Sequence, residues 1–219
     1  MIPLSHGASH LPPGDLCNSM PSPSEPKSRT KPADVRQEEL MDAALKLFID
    51  KGIAATSIDE IVTSAGVSKG GFYHHFASKE ALLGALQERY ITDFMTVLVK
   101  AQGALPADDW HGRLDTWLKA GVDHLYEAQP VHDVVFHEFA SPNHKEMNQN
   151  IVVDHMHDFL AAGTQAGAWS VSHPRLMAVM LFNAVHGACD EALLSPETLD
   201  RDTLIRVLQD FCWRAVGPA

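Results

Sequence analysis

The sequence has few of the residues that mark a secreted or membrane-spanning protein. It contains three cysteines in 219 residues, and Cys17, Cys189 and Cys212 lie far apart. A scattered set of odd number favours reduced thiols in a cytoplasmic protein over a disulfide framework. No run of about 18 apolar residues stands out, so we expect no membrane span. No apolar segment follows a basic start, so we also expect no secretion signal.

Positive charge is also scarce, which bears on any function with nucleic acid. The chain has 17 Lys and Arg against 28 Asp and Glu, and its net charge is −11. Residues 1–33 hold three basic and two acidic groups, residues 34–90 hold six and nine, and residues 91–219 hold eight and seventeen. Most of the negative charge therefore belongs to the C-terminal part. A nucleic-acid surface nearer the N-terminus needs only local basic groups.

Residues 1–33 differ in composition from the rest of the chain. They hold 7 of the 13 prolines and few large apolar residues, so we expect a disordered extension that buries no core. Its basic end, Lys27, Arg29 and Lys31, is either an arm that reaches DNA or a solvated extension.

Beyond this extension, apolar residues recur at helical spacing and no alternating strand pattern stands out, which predicts an all-α fold. We expect an N-terminal helix-turn-helix domain over residues 34–80 and a helical ligand-binding and dimerisation domain over residues 81–219. The predicted helices are 34–51, 57–65, 68–76, a fourth beginning after Ser78, 108–127, 130–139, 143–166, 173–194 and 197–215.

The segment from Thr56 to Lys79 carries the most specific pattern in the chain. A capping box at Ser57 opens one short helix, Gly66 suits a tight turn, and Ser68 caps a second short helix. This order predicts a helix–turn–helix whose second helix fits the major groove of DNA. The competing interpretation is an αα-hairpin that caps a helical bundle.

The second short helix has one face for the core and another for a ligand. Phe72 and Phe76 are four residues apart and would anchor it, while Tyr73, His74 and His75 point away. Glycines in its first turn allow close approach of the backbone to phosphate. The predicted DNA contacts are Thr56, Ser57, Ser68, Lys69, Gly70, Gly71, Tyr73, His74, His75 and Lys79.

The segment AGVSKGGFYHHF, followed by SKEALL, resembles the N-terminal domain of the tetracycline-repressor (TetR) family over about residues 35–85. The resemblance implies a homodimeric repressor with a three-helix DNA-binding head, a connecting fourth helix and a variable ligand-binding body. It implies a palindromic DNA operator and a small-molecule effector. Gly71 departs from the pattern, since the family usually has Thr, Ser or Ala there.

The C-terminal part offers candidates for an effector site and for a subunit interface. The last two helices are strongly apolar, so we expect the homodimer to form through them. Apolar, aromatic and polar side chains could line a pocket for an organic effector. The predicted pocket residues are Trp117, Phe136, Phe139, Met156, Phe159, Met180, Phe182, Asn183 and His186.

Histidine is unusually frequent, with 13 residues, and suggests a second kind of effector. His137, His155, His186 and Asp190 could converge from three helices on a divalent metal such as zinc or nickel. The competing interpretation is that each histidine is hydrogen-bonded or exposed, and that no cofactor is required.

The chain lacks the sequence motifs that are typical of other functional classes. A helical metal-dependent hydrolase would use the His, Asp and Glu cluster, but the chain has no HExxH, nucleophile elbow or phosphate loop. An interaction module would not need the helix–turn–helix pattern. We therefore expect a DNA-binding regulator and not an enzyme.

Overall fold

Every element that the structure describes is helical, so the predicted all-α fold is confirmed. The computed structural model describes residues 33–137, 144–194, 197 and 199–218. The predicted N-terminal extension falls outside these residues except at Ala33, where the first helix begins.

Nine α-helices and one π-helical turn lie in the described ranges. Their bounds are α1 Ala33–Lys51, α2 Ile58–Ala65, α3 Lys69–His75, α4 Lys79–Gly103, α5 Trp110–Glu127, α6 Gln129–His132, the π turn Asp133–His137, α7 His144–Gln165, α8 Pro174–Leu194 and α9 Arg201–Val216.

Most helices begin at a capping residue that the sequence displays. In each case the side-chain oxygen accepts a hydrogen bond from the backbone N–H three residues later, which satisfies a donor that the helix leaves free. These residues are Ser57, Ser68, Ser78, Asp109 and Asp200. The cap at Asp200 makes α9 begin at Arg201, so the predicted start at 197 was too early.

The predicted helix over residues 130–139 was wrong in form. The structure has the four-residue α6 and then the wider π turn, while residues 138 and 139 lie outside the described range. A π turn changes the direction of successive side chains relative to an α-helix. Val134 and Val135 are buried in one hydrophobic cluster, and Phe136 lines a cavity.

The helix–turn–helix has a hydrophobic core that extends beyond the predicted boundary at residue 80. This head core joins residues of α1, α2, α3 and α4 to the π turn. Its most deeply buried side chains include Leu40, Phe48, Ile61, Phe72, Leu82, Leu86 and Val135. Head and connecting helix therefore share one packed core.

Helices α4, α5, α7, α8 and α9 build the body around a second core. Its centre holds Leu98, Leu114, Trp117, Met156, Phe159, Leu160 and Trp169. The Trp169 indole N–H donates to the Leu160 carbonyl at 2.8 Å, which satisfies its polar atom inside the core.

Helix α8 leaves much of its apolar surface uncovered. Among the described helices it is the one long and apolar enough to cross a membrane, although the core helix of a soluble protein passes the same test. Only 22% of its most apolar window is buried within the chain. Exposed apolar side chains on α8 and α9 include Leu176, Val179, Met180, Val207, Phe211 and Trp213.

Candidate nucleic-acid interface and cavity

Helix α3 is fixed to the head core by its aromatic side chains. Phe72 is fully buried and Phe76 is 4% exposed, and their ring centroids lie 5.9 Å apart. The turn before α3 is set by Gly66, whose φ of +63° is a left-handed conformation that glycine adopts at little cost. Together these features hold α3 at a defined angle to α2.

The opposite face of α3 is largely exposed. Tyr73 is 51% exposed, and its ring lies 5.4 Å from that of Phe72 in a T-shaped contact. His74 is exposed and His75 half-buried, and their rings lie edge to face at 5.1 Å. A surface with hydrogen-bonding rings and no apolar cover is suited to base edges and phosphates.

Two polar groups beside this face are held in place by α2. Lys69 Nζ lies 2.8 Å from Asp59 Oδ1, and this hydrogen bond raises the pKa of Lys69. Ser57 caps α2 and exchanges hydrogen bonds with Glu60. The side chain of Ser57 remains exposed at the surface of the head. Asp59 therefore pairs with the Lys69 ammonium group, and contact of Lys69 with phosphate stays a prediction.

The departure at Gly71 has a steric reason. A Cβ atom at this position would lie 2.7 Å from Val67 Cγ1 and 3.4 Å from Ser68 Oγ, whereas at Gly70 the nearest atom would be 4.0 Å away. Val67 thus occupies the space that a side chain would need.

Two predicted DNA contacts have different roles in the structure. Thr56 is 2% exposed and its hydroxyl donates to the Gly52 carbonyl at 2.8 Å, so its side chain does not face DNA. Lys79 donates to the carbonyls of Ile53 and Thr56 at 2.7 and 2.8 Å. Both residues close the loop between α1 and α2. The predicted contact of Lys79 with DNA stays a prediction.

Comparison with known proteins places this head in a family. Residues 40–86 match the model for bacterial regulatory proteins of the tetR family. The head therefore belongs to the tetR family of DNA-binding domains. Residues 57–76 of this tetR-family head therefore contain the helix–turn–helix, as the resemblance implied.

Bacterial regulators resemble the chain over part of its length. The chain is 50% identical over 56 residues to the uncharacterized HTH-type transcriptional regulator YerO of Bacillus subtilis, covering 26% of this chain and 19% of YerO. It is 39% identical over 70 residues to the HTH-type transcriptional repressor KstR2 of Mycolicibacterium smegmatis, covering 32% of each. These matches span a third or less of either relative.

Comparison of structures shows that the body also has a known fold. The repressor SmeT of the Stenotrophomonas maltophilia multidrug efflux pump SmeDEF superposes with a TM-score of 0.68 at 24% identity, covering 82% of this chain and 89% of SmeT. At this identity the match establishes the fold of the body and not what the body binds.

The body contains a cavity of about 680 Å³ that is lined by residues of α4, α5, α6, the π turn, α7 and α8. This size lies within the range of sites for small organic ligands. Five of the predicted pocket residues line it, namely Trp117, Phe136, Phe182, Asn183 and His186. Ligand binding by these residues stays a prediction.

Three other predicted pocket residues lie elsewhere. Met156 and Phe159 are buried in the second core, where Phe159 packs against Trp169 with ring centroids 5.3 Å apart. Met180 is 52% exposed on the surface of α8. Phe139 falls outside the described residues. Helical spacing alone did not distinguish a cavity wall from a core or an outer face.

Aromatic and polar residues that were not predicted from the sequence also line the cavity, among them Tyr90, Phe94, His132 and Cys189. Tyr90 and Phe94 are four apart on α4 and stack with ring centroids 6.4 Å apart. Their i, i+4 spacing was a visible signal. His132 and Cys189 gave no such signal, because their neighbours in the cavity are distant in sequence.

A chain of polar groups crosses one side of the cavity. His132 Nε2 lies 3.3 Å from His186 Nε2, and His186 Nδ1 lies 3.2 Å from Asp190 Oδ2. Which of the two Nε2 atoms donates to the other depends on the tautomers of the two rings. We call His132, His186 and Asp190 the polar relay.

Of the four predicted metal ligands, the described part of the chain brings together His186 and Asp190, and His155 has a different partner. His155 Nε2 lies 2.8 Å from Gln102 Oε1, and burial lowers the pKa of His155. The side chain of His137 lies outside the described residues. Among described side chains, no three His, Cys, Asp or Glu form a group that could hold a metal ion.

Cys189 and Cys212 are free and buried. Burial raises the pKa of each thiol to about 12, with a further contribution from Asp190 at Cys189 and from Asp115 at Cys212. A protonated thiol is a poor nucleophile, so these cysteines are unsuited to redox sensing.

Proposed function

We propose that this protein is a transcription repressor that binds a palindromic DNA operator as a homodimer. A small molecule in the body cavity would release it from the operator. The observation that carries the proposal is the exposed face of α3, where Tyr73 and His74 stand out from a helix anchored by Phe72 and Phe76.

Related proteins support the regulatory part of the proposal. KstR2 is named as a transcriptional repressor, and SmeT as the repressor of an efflux pump. SmeT is also described in a complex with triclosan, which supports a small organic molecule as the effector.

The uncovered faces of α8 and α9 support the homodimer. Leu176 and Met180 are one helical turn apart on α8, as are Val207 and Phe211 on α9, and all four are exposed. A contiguous apolar surface of this kind is costly in water and is suited to a second copy. A dimer would present two α3 helices to successive major grooves.

The π turn supports a link between cavity and head. Phe136 lines the cavity, while Val134 and Val135 lie in the head core. Gln87 of α4 donates a hydrogen bond to the Val135 carbonyl. A ligand that displaces Phe136 would therefore strain α4, and a change in its angle would alter the spacing of the two heads.

Selection from a pool of random duplex DNA tests the proposal. The purified full chain should enrich an inverted repeat with half-sites about one helical turn apart. Affinity for the selected duplex should fall steeply with salt, because phosphate contacts release counterions. A pool that shows no enriched sequence after repeated rounds would remove the proposed function.

A further inference from the structure

The basic side chains of the head are engaged by partners within the chain. Of the six Lys and Arg in residues 33–90, five lie against an acidic side chain or a backbone carbonyl. These five are Arg36, Lys51, Lys69, Lys79 and Arg89. A cation that is already paired must give up its partner before a phosphate can take its place. The pairs that open at little cost therefore matter most for the binding of DNA.

Two of these basic groups also support the fold, which makes them costly to release. Lys51 donates to Glu60, and Glu60 accepts from the backbone N–H of Ser57 in the capping box of α2. Lys79 donates to two carbonyls of the loop between α1 and α2. Moving either ammonium group to a phosphate would leave polar groups of the head without their donor.

The pair between Lys69 and Asp59 is different, because both side chains are exposed. Their exposed fractions are 56% and 70%, and the two charged atoms lie 2.8 Å apart. Lys69 begins α3, and Tyr73 follows it by four residues on the exposed face of the same helix. An exposed pair contributes little to stability, so a phosphate at this face can replace Asp59.

Asp59 opposes that exchange in two ways. Its carboxylate competes with phosphate for the Lys69 ammonium group, and once released it stays as a second anion close to the DNA backbone. The pair also joins α2 to α3, and a bracing role would have the opposite effect on DNA binding. Loss of a brace would loosen the helix–turn–helix and weaken the complex. The sign of the change in affinity therefore distinguishes the two roles.

We propose that Asp59 sets the affinity of the head for DNA, because it holds Lys69 in an ion pair that a backbone phosphate must replace. Asp59 is thus a positioning residue that acts through Lys69. The inference rests on the proposed function, since it takes DNA as the ligand of this face. It adds that the head binds DNA more weakly, and with a shallower dependence on salt, than it would without the Asp59 carboxylate.

Fluorescence anisotropy with the duplex selected from the random pool tests the inference. Asp59→Asn should raise the affinity by about two- to fivefold for each head on the DNA, the size expected for one exposed ion pair. The slope of log affinity against log salt should become steeper by at most about 0.9 for each head, because no freed carboxylate then offsets the phosphate contact of Lys69. A bracing role would leave this slope unchanged.

Glu88→Gln is the matched control, since it removes one negative charge from an exposed residue of α4 and should change the affinity by less than about twofold. In the Lys69→Ala background, Asp59→Asn should raise the affinity less than it does in the wild type. An unchanged or lower affinity for Asp59→Asn, an unchanged salt slope, or an equal gain in both backgrounds would overturn the inference and leave the proposed function in place. A wild-type chain that selects no duplex would instead remove the proposed function, and this inference with it.

Discussion

Lys79 shows how a residue with an apparent DNA role can serve the fold. Its ammonium group donates to the Ile53 and Thr56 carbonyls, which lie in the loop between α1 and α2. Removing it leaves two carbonyls without their charged donor in a half-buried place. We therefore expect Lys79→Ala to lower the free energy of unfolding by about 1–3 kcal/mol, measured by urea denaturation.

Lys69→Ala is the matched control for Lys79→Ala. Lys69 is exposed, and its one described ion pair, with Asp59, is also exposed. Surface pairs contribute at most about 1 kcal/mol, so this variant should unfold close to the wild type. Equal stability losses in the two variants would contradict the structural role of Lys79.

The adjacent glycines of α3 should respond differently to alanine. Gly70→Ala removes backbone freedom without a clash and should stabilise the protein by up to about 1 kcal/mol. At Gly71 the new methyl group meets Val67, and overpacking of this kind costs about 1–3 kcal/mol. Gly71→Ala should therefore have the lower thermal midpoint, and the reverse order would refute the steric explanation.

At the scale of a single element, the capping box of α2 gives a prediction about pH. Hydrogen bonds from Lys51 and Ser57 lower the pKa of Glu60 from 4.5 to about 2. A carboxyl whose pKa is lower in the folded state stabilises the fold above its unfolded pKa. That contribution is lost as the pH falls from about 4.5 through about 2.

Glu60→Gln tests this contribution in thermal unfolding across pH. The wild type should be more stable than the variant by a constant margin from pH 8 to pH 5, and the margin should narrow below pH 4.5 as Glu60 takes up a proton. A margin that does not change between pH 7 and pH 3 would show that these hydrogen bonds do not stabilise the charged carboxylate.

The start of a helix could be predicted where a capping side chain close in sequence determines it. The starts of α2, α3 and α4 follow serine caps that are readable in the sequence. The π turn was not predictable, because it forms where Val134 and Val135 reach a core whose other members lie more than 40 residues away. Such long-range packing overrides helical periodicity.

The same distinction applies to the candidate site. Tyr73 and His74 could be placed on the outer face of α3 from their position relative to Phe72 and Phe76. The polar relay could not be predicted from the sequence, because His132 and His186 are separated by 54 residues and meet only in the folded chain. The burial of Thr56 could not be predicted either, because Thr56 lies in a loop that has no periodic pattern.

At the scale of the whole molecule, the uncovered face of α8 and α9 predicts the oligomeric state. Phe211→Glu should place a charge in the centre of the proposed interface and convert the dimer to a monomer at micromolar concentration. Analytical ultracentrifugation would measure this. Val99→Glu on α4, also exposed, is the control and should remain dimeric. A wild-type protein that sediments as a monomer would contradict the interface.

DNA binding through α3 is the central claim, and the affinity of Tyr73→Ala for the selected duplex tests it most directly. Tyr73 is half exposed and outside the core, so the variant should fold like the wild type. Fluorescence anisotropy should show at least about a tenfold loss of affinity, since the ring and hydroxyl would face the groove in the proposed complex. Val99→Ala should bind like the wild type. Unchanged affinity in both Tyr73→Ala and Lys69→Ala would contradict the account.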